Sequence, residues 1–124
     1  DDFILTANID MSFNELQKFI KEKLKIEILK VTTSSSEKIK SLSLTTGSGM
    51  SLLPYIKTDC FLTGDIKYHE AMEAKALGIS LIDIGHFESE IHFCTLLESL
   101  LQEYLKKNNK TAIIIASQNP FEYK

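Results

Sequence analysis

Residues 60–84, CFLTGDIKYHEAMEAKALGISLIDI, decide the fold. A short apolar run, CFLT, breaks at Gly64 and Asp65, a helical stretch IKYHEAMEAKALG follows, and a second apolar run, ISLIDI, returns. Apolar runs of that length, bounded by turn residues, read as strands buried on both faces. A helix between two such strands implies a right-handed crossover that leaves them parallel. The pattern extends both ways. Upstream, IKSLSLTT (39–46) leads through GSG into the helical stretch MSLLPYIK. Downstream, ISLIDI leads through GH into FESEIHFCTLLESLLQEYLKK, and the apolar run TAIIIA closes the alternation before the tail SQNPFEYK. The N-terminal part opens on a strand, FILTANI, and Ser12 with Glu15 forms an S-x-x-E capping box ahead of the helix SFNELQKFIKEKLK. Two further strand segments, IEILKV (26–31) and IKSLSLTT, flank the polar TTSSSEK and are expected to pair antiparallel. The predicted architecture is α/β: one domain over residues 1–124, in three layers, with a largely parallel or mixed sheet and helices on both faces.

Composition narrows the function. With 44% hydrophobic and 25% charged residues among 124, the chain can bury a core of its own. A net charge of −3 and scattered lysines give no basic footprint for nucleic acid. Apolar runs such as Ala112 to Ala116 are strand-sized, so no membrane span is expected, and the first residues lack the layout of a signal peptide. Cys60 and Cys94 sit in apolar patterns without C-x-x-C spacing, which points to buried reduced thiols and a cytoplasmic setting.

In open α/β sheets ligands collect beyond the carboxyl ends of the strands. The polar residues that punctuate this chain fall there: Gly47, Ser48 and Gly49; Gly64 and Asp65; Gly85, His86 and Glu90; and Ser117 to Asn119. On a helical wheel Glu90 lies roughly 40° from His86, within the apolar stripe of Ile91, Cys94, Leu97, Leu101 and Leu105. A carboxylate there needs a partner, and His86 and Glu90, one turn apart, can reach the same cation. The alternative is a simple surface pair with Glu90 favoured by the helix dipole. His92 points away from both. The GSG glycines can free backbone N–H groups for an anion, with Ser48 or Ser51 assisting, or can simply make a tight turn. Asp65 reads as an N-cap for a helix starting near Lys67, and His69 as a proton-transfer candidate or a structural histidine.

Together these elements carry a resemblance. GSGMSLLPYIKTDCFLTGDIKYHEAMEAKALGISLIDIGHFESE followed by SQNPFEY resembles the C-terminal half of the NGG-one-interacting-factor-three-like family, whose bacterial members are named homologues of GTP cyclohydrolase I type two. The resemblance runs from about residue 47 to 123 on GSG-x-S, TGD-x-x-x-H and GHF-x-S-E in order. It implies a two-lobed α/β protein, a dinuclear site for two divalent metals of the Zn, Mn or Fe class, and a hexameric ring. His86 and Glu90 fall on the family's GH-x-x-x-E metal ligands. The other ligands, a histidine pair and an aspartate, belong to the family's N-terminal half, and this chain has no HH element. The chain is therefore expected to be a C-terminal portion whose partner is the missing N-terminal half, with weak or no metal binding alone. The implied activity is metal-dependent hydrolysis of a small molecule, with GTP ring opening what the naming of the family's members implies, although nothing in these residues shows a guanine pocket. Asp65 and His69 would support the ligands or transfer protons, and Gly47, Ser48 and Gly49 would bind an anion. The competing class is a non-enzymatic metal-binding or interaction module.

Overall fold

A computed structural model describes residues 4–34, 38–45, 49–85, 90–107 and 114–117, with the side chains of 90–94 and 114–117 outside the description. Six strands form one sheet: β1 (Ile4–Ser12), β2 (Lys30–Thr32), β3 (Lys38–Leu44), β4 (Cys60–Thr63), β5 (Ser80–Asp83) and β6 (Ile114–Ser117). Helices α1 (Phe13–Leu24), α2 (Tyr68–Ala76) and α3 (Glu90–Lys107) and a 3₁₀ stretch, Met50–Tyr55, connect them. The spatial order is β2-β5-β4-β3-β1-β6. The central three strands are parallel, as the alternation demands, whereas β2, β1 and β6 join antiparallel.

The helices occupy both faces. Phe13, Leu16, Phe19 and Ile20 of α1 and Leu97, Leu101 and Leu105 of α3 pack with Leu42, Leu44, Cys60, Leu62 and Ile82 on one side of the sheet. Across from them, Met50, Leu52 and Leu53 of the 3₁₀ stretch and Ala74 of α2 close over Phe61 and Leu81. Successive strand residues point to opposite faces, so Leu62 and Phe61 serve different layers. Cys60 is fully buried, and burial pushes its thiol pKa well above the ordinary range. The side chain of Cys94 lies outside the described residues.

Local chemistry explains several boundaries. The Glu15 N–H donates to Ser12 Oγ at 3.1 Å and the Ser12 N–H to Glu15 Oε1 at 2.9 Å, completing the expected capping box. Pro54 sits in the 3₁₀ stretch, and its missing N–H and ring prevent a longer α-helix there. The expected pairing of residues 26–31 with β3 is not made. The strand is only Lys30–Thr32, and it lies against β5 at the far edge of the sheet. β3 instead takes β1 and β4 as neighbours. Both of its edges are thereby filled, leaving no room for β2. The register of β1 on β3 shifts between Asn8 and Met11, a bulge that lets Ile39 and Leu42, an odd number of residues apart, share one core. Among the described residues no helix is long and apolar enough to cross a membrane.

Candidate functional site

Three turns leave the carboxyl ends of β3, β4 and β5, and backbone hydrogen bonds hold them in register. The Thr45 N–H donates to Leu62 O and the Ile84 N–H to Thr63 O, each at 3.0 Å. In the first turn the Gly49 N–H donates to the buried Thr63 Oγ1 at 2.9 Å. A Cβ at Gly49 would overlap Thr45 Cγ2 and stand 2.7 Å from Thr63 Oγ1, so the turn lies too close to β4 for any side chain. The Gly49 amide is thus engaged with Thr63 instead of facing an anion. Gly47 and Ser48 lie outside the described residues.

In the second turn Asp65 is exposed and left-handed, with φ of 53°. It does not cap α2 as expected. The N-cap is Lys67, whose N–H donates to Glu70 Oε1 at 2.9 Å. The intervening amide, the Ile66 N–H, is turned back toward the sheet and donates to Asp83 Oδ2 at 3.0 Å. His69 is exposed in the first turn of α2.

Asp83, the last residue of β5, gathers the third turn. Its carboxylate accepts the Gly85 N–H on Oδ1 at 2.8 Å and the Ile66 N–H on Oδ2, while Lys30 Nζ stands 3.2 Å from Oδ2. Lys30 also donates to Ile66 O at 3.0 Å. The Asp83 side chain is only 7% exposed, and the Lys30 side chain 68%. Two backbone amides offset the desolvation of this carboxylate, while the ion pair with a solvated lysine adds little by itself. Lys30 and Asp83 are directly opposed across β2 and β5. Shallow hollows flank the pair: Ile28, Asp65, Ile84 and Gly85 line one, and Thr32, Ile66, Tyr68 and Ala71 the other. His69 is not among the residues lining either. Sequence reasoning passed over Asp83 because it sits inside an apolar run. The available signal was an acidic residue ending a strand buried on both faces, two positions before a glycine.

Gly85 is left-handed, with φ of 78°, and leads toward His86. His86 and the side chain of Glu90 lie outside the described residues, and the described part of α3 opens at Glu90. Among the described residues no three His, Cys, Asp or Glu side chains converge as a metal set. Both Asp83 oxygens accept N–H donors, so its carboxylate is committed to the backbone of the second and third turns. One imidazole and one carboxylate suit a borderline divalent metal but fill only half of a four-coordinate shell. By residue type alone, His86 and Glu90 would supply part of such a shell.

The sequence and fold have close relatives. The profile of the Duf34/NIF3 (NGG1p interacting factor 3) family matches residues 2–120. A Campylobacter jejuni protein named GTP cyclohydrolase 1 type 2 homolog is 43% identical over 99% of this chain, which covers 49% of that protein. A Helicobacter pylori protein named GTP cyclohydrolase 1 type 2 is 39% identical over 82% of the chain and 42% of its own length. A crystal structure of a Staphylococcus aureus protein superposes with a TM-score of 0.62 at 30% identity, over 98% of this chain and 42% of that one. The chain thus spans about half the length of the relatives it matches.

Proposed function

Because the chain belongs to the Duf34/NIF3 family, we propose that it forms one wall of a metal-dependent hydrolase site, completed by the remainder of a longer, two-lobed protein. The observation that carries this reading is Gly85, left-handed just beyond the carboxyl end of β5, which His86 follows in sequence. His86 and Glu90 hold the metal from this wall, and the other half supplies the remaining ligands. A divalent pair would acidify a water molecule and polarise a substrate oxygen. Asp65 and the solvent-facing His69 exchange protons with the reacting water, a task suited to groups on an exposed turn. With the Gly49 amide engaged, anion recognition falls to Gly47 and Ser48. The whole protein assembles as a hexamer in the cytoplasm, a reducing setting that suits the buried Cys60 thiol.

GTP is the first substrate to test, since Helicobacter pylori relatives carry that activity in their names. Full-length metal-loaded protein should open the purine ring. His86→Ala should lower turnover by more than the roughly 10–100-fold typical of losing a group that merely supports a metal. Turnover indifferent to His86 would overturn the assignment. Metal binding without turnover on nucleotides would favour the non-enzymatic alternative. In a direct titration the isolated 124-residue chain should bind metal far more weakly than the full-length protein, because the remaining ligands are elsewhere.

A further inference from the structure

We propose that Asp83 is a positioning residue that locks the second and third βα turns to each other, with Lys30 as its brace from the edge strand. The inference starts from connectivity. An aspartate that accepts only the amide two residues ahead forms a local turn and concerns that turn alone. Asp83 does this with the Gly85 N–H, and with its other oxygen it captures the Ile66 N–H from a different crossover. Lys30 closes a ring of contacts, since its ammonium meets both Asp83 Oδ2 and Ile66 O. Three segments distant in sequence are thereby tied at one buried carboxylate. Asp65 is one peptide bond from the captured Ile66 amide, and His86 is one peptide bond from the captured Gly85. A shift of Asp83 consequently moves both turns together.

Asp83 does not touch reacting atoms. Its effect runs through the backbone placement of residues that the proposed function puts in the metal site, and to that extent the inference rests on that reading. Ligand geometry must be held within a fraction of an ångström, and the groups that hold it weigh nearly as much as the ligands themselves.

Two measurements on the full-length protein test the lock. The first is amide hydrogen exchange on the metal-free form, comparing Asp83→Asn, Lys30→Met and Lys30→Arg with the parent. Asp83→Asn should speed exchange at least about tenfold in both 64–68 and 84–88, leaving α1 unchanged. Lys30→Met should give a smaller effect centred on 64–68, and Lys30→Arg should restore the parent pattern. A response confined to 84–88 would reduce Asp83 to a local turn and overturn the proposal. Acceleration across all segments would overturn it as well, by marking a general loss of stability. Should Asp83→Asn fail to fold, the Lys30→Met and Lys30→Arg pair decides: loss without rescue, or no change, rejects the lock. The second measurement is Zn²⁺ titration of the same variants and of His86→Ala. Asp83→Asn should weaken Zn²⁺ binding by roughly 10–100-fold. If His86→Ala weakens binding and Asp83→Asn does not, the positioning role is overturned. If His86→Ala itself leaves binding intact, the metal assignment fails, and the exchange data still judge the lock.

Discussion

The sheet is covered unequally at its two sides. Over β4 and β5 every residue is buried, because helices lie on one face and the 3₁₀ stretch with α2 on the other. Along β1 the pattern alternates. Leu5, Ala7, Ile9 and Met11 enter the core while Asn8 and Asp10 face water. Antiparallel strands tolerate one wet face, whereas parallel strands joined by helical crossovers are sealed on both. The difference teaches where the backbone is held most firmly. The turns that carry Gly49, Asp65 and Gly85 spring from the sealed half, where packing and buried hydrogen bonds fix the backbone. In the open half only Ile4 of β1 reaches the second layer, and the rest of that strand contributes a core on one side and surface charge on the other.

Substitutions can break that contrast. Phe61 is fully buried under the second layer, so Phe61→Ala should destabilise by about 3–5 kcal/mol in chemical denaturation. A cost below about 1 kcal/mol would mean that the second layer does not seal β4. Gly49→Ala tests the close approach of the first turn. The added methyl group must displace Thr45 and Thr63, at a cost of about 1–3 kcal/mol that a Thr63→Ala background should partly relieve. Additivity of the two changes would deny the contact. The smallest effect belongs to the open face, where Lys38 Nζ lies 2.8 Å from Asp10 Oδ1 with both side chains exposed. The hydrogen bond to Asp10, and then its charge, raise the Lys38 pKa. A raised lysine contributes its stabilisation below its unfolded pKa and loses it as pH rises through the folded value. Lys38→Met should therefore leave Tm unchanged at neutral pH to within scatter, with any difference from the parent vanishing in strong alkali. A large neutral-pH drop would show that this face is covered after all.

Much of the fold is legible in sequence because its signals are local. The Ser12 and Glu15 box, the apolar runs at 60–63 and 80–84, and the α3 stripe of Leu97, Leu101 and Leu105 each follow from spacing within a few residues. What escaped depends on distance. Nothing near residues 26–31 says that Lys30 will meet Asp83 instead of β3, since strand pairing is chosen among all available edges. Asp65 resembles a cap in sequence, yet its backbone is left-handed and the next amide is turned to Asp83. Asp83 itself is invisible to periodicity, as its meaning lies in Ile66 of another crossover and Lys30 of the edge strand.

The pairing of β1 with β6 matters for how the molecule comes into being. Ile4 lies opposite Ser117, so the first strand of the sheet waits for the last. During synthesis, β1 can dock on β3 early, yet its other edge stays open until nearly all the residues described have emerged. That edge offers unpaired amides and carbonyls beside an apolar face, the combination that recruits other nascent chains. Closing so long a loop is slow compared with forming α1 or α2. The final strand thus acts as a late seal, and the interval before it arrives is when the chain is most exposed to intermolecular β-pairing.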